Sequence, residues 1–135
     1  MMEYIQSMFE YLDKEFYKFS YSDLSVECKT NDEIFRQYTG RGWSRKDLVE
    51  TLKEKGITFS FNDRYEDLYF LVFLNCIEPR LEKGILFLYD YPPECSSLAK
   101  VENGVARRFE IYWDGVELGN AFFELTDPIE QRMRL

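Results

Sequence analysis

Apolar residues recur at three- and four-residue steps in the first half of the chain and at two-residue steps in the second. Met2, Ile5, Met8, Phe9 and Leu12 mark an amphipathic opening helix that runs to about Phe16. Asn31 and Asp32 are placed to cap a short helix through Phe35 and Tyr38, closed by Gly40. Ser44, with Asp47 three residues on, opens the next, which carries Leu48 and Leu52 to a stop at Gly56. Asn62 or Asp63 opens a third such segment, Arg64 to about Ile77. Leu68, Phe70, Leu71, Phe73 and Leu74 make it apolar nearly all round, so it is expected to be mostly buried.

The second half reads as strands. Ile85–Tyr89 is a compact apolar run after Gly84, ended by Pro92-Pro93 because proline cannot donate to a ladder. Asn103-Gly104 and Asp114-Gly115 are hairpin turn signals, tolerant of the positive φ that type I′ turns require. They delimit two strands, Val105–Trp113 and Val116–Leu125. Thr126 or Asp127, then Pro128 and Glu130, start a helix at about Pro128. The chain stops at Leu135, barely two turns later, which leaves the expectation that something is missing. The fold class expected is α+β. One domain spans 1–135, helical over 1–80, with an antiparallel sheet of the strands between 85 and 125.

Composition narrows the chemistry. The chain has 135 residues, 17 Lys+Arg against 25 Asp+Glu, a net charge of −8 and no His. The acidic balance argues against direct nucleic-acid binding, which needs a basic face. Lack of His removes Ser-His-Asp and Cys-His catalysis and most zinc sites. Cys28, Cys76 and Cys95 are odd in number with no C-x-x-C, so reduced thiols are expected. Cys95, Ser96 and Ser97 lack a base for nucleophilic catalysis. Met1–Phe9 has no basic n-region, and Leu68–Ile77 falls well short of the ~18 residues a spanning helix needs. A soluble, cytoplasmic protein without membrane partners is the simplest expectation. The Arg107-Arg108 pair reads as a strand-edge solubiliser in preference to a phosphate site, and the Tyr65–Phe73 aromatics as core in preference to a base-stacking platform.

The last hairpin carries the candidate site. A two-residue Asp114-Gly115 turn sets Trp113 against Val116, Tyr112 against Glu117, Ile111 against Leu118 and Glu110 against Gly119. Glu110 and Glu117 are then diagonal neighbours on one face, with Cβ atoms ~6–8 Å apart. Two such carboxylates either form a solvated face with screened repulsion or hold a hard cation such as Mg²⁺ between them. The opposite face collects Phe109, Ile111, Trp113, Val116 and Leu118 and reads as the core side. Strict alternation then fails, because it would bury Asn120 and Glu124. One extra residue between Leu118 and Ala121, a bulge at Gly119, sends Ala121, Phe123 and Leu125 into the core. Asn120, Phe122 and Glu124 then join Glu117. A helix remains the competing reading, since 117, 120 and 124 also match helical spacing.

Arg108-Phe109-Glu110, then Gly115-x-Glu117-Leu118-x-Asn120-Ala121-x-x-Glu124-Leu125-Thr126-Asp127 and Gln131-Arg132, resembles the active-site strand segment of class II lysyl-tRNA synthetases. Upstream, Tyr91-Pro92 and Ser96-Ser97-Leu98-Ala99 fit the same family. Ser-Ser-Leu-Ala and Glu-Leu-Thr-Asp look more like its truncated branch, the elongation factor P–lysine ligases, than like the Ser-Pro-Leu-Ala and Glu-Leu-Asn-Asp of the synthetases. The strong match covers Tyr91–Arg134, about a third of the chain.

The resemblance implies a class II synthetase-like catalytic core that uses ATP and Mg²⁺ to activate lysine or a lysine isomer through an acyl-adenylate. Transfer would be to elongation factor P or to tRNA. By position, Glu110 and Glu117 match the Mg²⁺–ATP carboxylates, and Asn120 and Glu124 match the amino-acid pocket, Glu124 facing the substrate ammonium. A carboxylate is a sensible partner for an ammonium, since charge-assisted hydrogen bonds are about twice as strong as neutral ones. The Phe-Arg-x-Glu loop of the family is missing. Phe35-Arg36-Gln37-Tyr38 lacks the acid, and Gly40-x-Gly42-x-x-Arg45 precedes the strands that the late Gly-rich motif should follow. The chain is therefore expected to be inactive alone and to self-associate or pair with a companion fragment. A non-catalytic module that keeps the acidic pocket for a ligand or partner is the alternative.

Overall fold

The structure is a computed structural model that describes residues 2–16 and 25–134. Helix α1 spans Met2–Phe16; the expected apolar positions Met2 and Leu12 lie outside the described side chains. Strand β1 (Val26–Thr30) leads directly into α2 (Asn31–Thr39). The cap of α2 is Thr30 and not Asn31 or Asp32. Its hydroxyl accepts from Glu33 N, while the Glu33 carboxylate accepts from Thr30 N, a reciprocal box. Asn31 is thereby free to be buried, where it donates to the Tyr89 carbonyl at 3.1 Å and accepts from the Tyr69 hydroxyl.

Helix α3 (Arg45–Lys55) starts at the Ser44 cap and ends at Gly56, as its sequence signals require. Helix α4 (Tyr65–Val72) is capped at Arg64, one residue past Asp63 and two past Asn62, the two expected openings. It continues through a π-helical turn, Phe73–Ile77, and a 3₁₀ turn, Glu78–Arg80. Leu68, Tyr69, Val72, Phe73, Cys76 and Ile77 are buried, whereas Phe70 and Leu74 are about half exposed, so this segment has an outer face after all.

Strand β2 (Ile85–Tyr91) is followed by β3 (Val101–Glu102), β4 (Val105–Trp113), β5 (Val116–Phe122) and a last helix α5 (Pro128–Arg134). Asn103 (φ 53°) and Gly104 (φ 79°) turn β3 into β4, and Asp114 (φ 49°) with Gly115 (φ 79°) turns β4 into β5. The sheet is mixed, not purely antiparallel. β1 runs parallel to β2, and β4 is antiparallel to β2 on one side and to β3 and β5 on the other. The parallel pair is reached only through a crossover of three helices. The short run Val-Glu-Cys-Lys-Thr gives no local sign of it.

The expected core face of the hairpin is reversed. Residues paired across the ladder share a face, so Leu86, Leu88, Ala106 and Tyr112 lie together against α2, α3 and α4 in the principal core. Glu110 lies among them, buried at 6% exposure. Phe109, Ile111 and Trp113 are half-buried on the other face, with Phe109 against Phe87 and Trp113 edge-on to Phe9 of α1 at 5.7 Å. Val116, Leu118 and Phe123, expected inside, are more than half exposed.

Candidate functional site

Strand β4 is central, and its helix-facing side carries Arg108, Glu110 and Tyr112 in alternate positions. The Glu110 carboxylate accepts from Arg108 Nη2 at 2.5 Å and from the Tyr112 hydroxyl at 2.6 Å. One protein donor is thus spent on each oxygen, which is how an acid can sit inside at 6% exposure. Burial first, then the Glu110 charge, pushes the Tyr112 phenol far above its ordinary range, so it stays a donor. Arg108 also donates to the Cys95 carbonyl at 2.9 Å, and its guanidinium lies 4.7 Å from the centre of the Tyr91 ring. Arg108 is therefore no edge solubiliser: the sheet continues on both sides of it.

Strand β5 does contain a bulge, one residue earlier than expected. Tyr112 pairs with Glu117 and Ile111 with Gly119, so Leu118 is the extra residue. Leu118 turns outward at 52% exposure instead of entering the core. Gly119 has no positive φ, and a Cβ built on it meets nothing within 4 Å. The bulge does not depend on glycine's left-handed conformation, and Gly119→Val is not the fold-breaking change that a glycine bulge would make it. Its effect on the faces is the expected one. Asn120 pairs with Glu110 and Phe122 with Arg108, so Glu117, Asn120 and Phe122 share the Glu110 face. Asn120 Nδ2 lies 3.4 Å from Glu117 Oε1, a long hydrogen bond.

Two cavities open on this face. One, of about 90 Å³, is bounded by the α4 and π-turn aromatics and holds both Glu110 and Glu117 in its wall. The other, of about 210 Å³, lies between the 95–99 loop and the hairpin, with Arg108, Asn120 and Phe122 in its wall. Glu124 lines neither. It is exposed just past β5, where it bridges to Ala99, and the flanking bonds Lys100 N to Phe123 O and Leu125 N to Leu98 O stitch this stretch to the 95–99 loop. The structure thus brings together Glu110, Glu117 and Asn120, and holds the Ser-Ser-Leu-Ala loop beside Glu124.

For a metal, the donor set is only partly open. Among the described residues no group of three or more His, Cys, Asp or Glu is gathered for an ion. An ion at Glu110 would have to displace Arg108 or Tyr112, whereas Glu117 is exposed. Burial pushes the Cys95 thiol up to about 12, helped by Glu66 and Glu94, so it stays protonated at neutral pH and is a poor nucleophile. The Gly40-x-Gly42-x-x-Arg45 stretch is structural. Gly40 ends α2 at φ 74°, and Arg45 donates to the Phe61 and Asp63 carbonyls. Sequence reasoning missed Arg108 as a site residue. The signal was available: opposite charges two residues apart on a strand fall on one face.

No protein-family model matches the chain. It is 36% identical over 111 residues to the elongation factor P–(R)-beta-lysine ligase homolog of Aquifex aeolicus, a match covering 81% of this chain and 38% of that protein. A lysine–tRNA ligase of Synechococcus is 37% identical over 114 residues, 78% of this chain and 22% of that protein. An elongation factor P–(R)-beta-lysine ligase of Buchnera aphidicola is 35% identical over 121 residues, 87% of this chain and 36% of that protein. The chain spans well under half the length of each of these relatives. Over the shared segment it is homologous to elongation factor P–(R)-beta-lysine ligases and lysine–tRNA ligases.

Proposed function

We propose that the chain carries the amino-acid-facing sheet of an ATP-dependent, AMP-forming ligase for lysine or a lysine isomer. The observation that carries the reading is the shared face of Glu110, Glu117 and Asn120, built by the bulged hairpin within a segment related to lysine ligases. Asn120 and Glu124 are assigned to the amino acid, Glu124 as counter-charge to the ammonium. Glu110 and Glu117 are assigned to Mg²⁺ and ATP. Glu117 offers an exposed carboxylate, and Glu110 would help to hold the ion only if its Arg108 or Tyr112 hydrogen bond were given up. The ion would supply charge neutralisation at the phosphates. The protein's own part is to hold these carboxylates in a rigid ladder. Elongation factor P or tRNA is the acceptor class this reading implies for the complete enzyme, and a companion chain would supply the phosphate-binding arginines.

The test is calorimetric titration of the chain with ATP at saturating Mg²⁺. The reading expects binding that is lost without Mg²⁺ and weakened about tenfold or more in Glu117→Ala, the loss of a charge-assisted contact. Mg²⁺-independent binding, or binding indifferent to Glu117, would count against it. The engaged oxygens of Glu110 favour the second reading, a non-catalytic module, which expects lysine or partner binding with no ATP binding.

A further inference from the structure

Strand β2 breaks its alternation to place one side chain. Tyr89 pairs with Phe109 and Tyr91 with Ala106, and the register slips between them at Asp90, a non-glycine residue with φ 56°. Unbroken alternation would turn Tyr91 to the side of Tyr89 and Phe109. The slip sets it instead on the helix-facing side shared by Ala106, Arg108, Glu110 and Tyr112, where it is 2% exposed. Irregular strand positions of this kind re-aim a side chain at a local cost in backbone strain. The side chain so aimed then makes no hydrogen bond. The Tyr91 hydroxyl is one of three buried side-chain groups among the described residues without a partner. Such groups are rare in folded proteins, and each needs a reason.

The neighbours of Tyr91 supply one. The guanidinium that lies over its ring is the Arg108 group that bonds Glu110. Tyr91, Glu110 and Tyr112 stand in the wall of the same cavity of about 90 Å³. Burial, then Tyr69 and Glu110, raises the proton affinity of the Tyr91 phenol well above its ordinary range, so it remains a donor beside that carboxylate. Glu110 therefore has three neighbouring donors, of which Arg108 and Tyr112 are in use and Tyr91 is idle. We propose that Tyr91 is a positioning residue, a reserve donor that takes the Glu110 oxygen left bare when Glu110 gives up Arg108 or Tyr112 to face a cation. A buried carboxylate that released a donor without replacement would leave that oxygen desolvated and unpaired. With Tyr91 beside it, Glu110 turns and keeps two protein donors. The identity of the cation, Mg²⁺ with ATP, rests on the ligase reading, while the exchange of donors does not.

The experiment has two arms, both on the full chain. In the first, Tyr91→Phe is made alone and on a Tyr112→Phe background, and thermal unfolding is followed by circular dichroism. Alone, the change removes an idle hydroxyl and should leave Tm unchanged or raise it. On the Tyr112→Phe background, where Tyr91 has taken the vacated oxygen, the same change should lower Tm by roughly 3 °C or more. Arg108→Lys serves as the background if Tyr112→Phe does not fold. Equal effects of Tyr91→Phe with and without the background change, or a lower Tm from Tyr91→Phe alone, would overturn the proposal. In the second arm, ATP with Mg²⁺ is titrated calorimetrically into the unaltered chain and into Tyr91→Phe, whose affinity should be about tenfold weaker. Binding undiminished by Tyr91→Phe would overturn the positioning role even if the first arm gave the expected pattern. A chain that shows the background dependence and binds no ATP would sink the ligase reading and leave the donor exchange standing.

Discussion

Replacing Arg108 by Met tests the account of how Glu110 is kept inside. The side chains of the pair are 20% and 8% exposed, so solvent screens them little. Removing one partner of such a buried pair costs ~3–5 kcal/mol, because the remaining charge is left uncompensated. The Tyr112 hydroxyl still donates to Glu110, which places the loss at the lower end, about 3 kcal/mol. The lost Cys95 carbonyl bond and Tyr91 ring contact add about 1 kcal/mol more. Urea denaturation followed by far-UV circular dichroism should show Arg108→Met destabilised by ~4 kcal/mol, with Tm lower by roughly 10 °C or more. Glu110→Gln completes the cycle. The double variant should be less damaged than the sum of the singles by ~2 kcal/mol, the coupling between two groups in one network. A loss under ~1 kcal/mol in Arg108→Met, or additivity of the two changes, would refute the reasoning.

Four further outcomes follow from particular features of the structure and the sequence. A Cβ on Gly84 would sit 2.2 Å from Ser25 Oγ and 2.6 Å from the Ser25 carbonyl at φ +113°, so Gly84→Ala should unfold or strongly destabilise the chain. Gly119→Ala, in open space, should change stability by less than ~1 kcal/mol, and a large loss would contradict the observed bulge. Cys95, Tyr91 and Tyr112 all have proton-binding raised by burial in the folded state. For a group whose folded value is raised, the favourable contribution is complete below the unfolded value and lost as pH rises through the folded one. Stability should therefore fall from about pH 9 upward, Cys95 contributing up to about 12, and Cys95→Ser should flatten part of that slope. The purified chain should give no lysine-dependent ATP–pyrophosphate exchange, since its sequence shows neither phosphate-binding arginine motif; robust exchange abolished by Glu117→Ala would contradict this.

Local chemistry made much of this fold legible. Ser44 and Gly56 bracket α3, and the two Asx-Gly turns place both ends of β4 and the start of β5 to the residue, although β5 ends at Phe122 and not at the expected Leu125. What failed was long-range. Strand β1 pairs with β2 across three helices, and five residues of mixed polarity cannot announce a partner so distant. The face of β4 was misread because Phe109, Ile111 and Trp113 look like the buried set. Arg108 and Glu110 neutralise one another in place, and with Ala106 and Tyr112 they make the alternate face the one that meets the helices. A hydrophobicity pattern counts each charge as an outward vote and cannot see that two have cancelled. The bulge was legible as a need for one extra residue, since unbroken alternation would have turned Asn120 away from Glu110. Its position was not, because a bulge at Leu118 leaves the same residues on the same faces without calling on Gly119.

The central claim is that the bulged hairpin is the ligand face of a lysine-type ligase segment. It is tested most directly by calorimetric titration of the chain with L-lysine and with β-lysine, in parallel with Asn120→Ala and Glu124→Gln. The account expects one of the two amino acids to bind, with affinity lowered about tenfold or more in each variant while thermal stability is unchanged, since Asn120 and Glu124 are exposed. Absence of binding by both amino acids, or binding that neither substitution weakens, would contradict it.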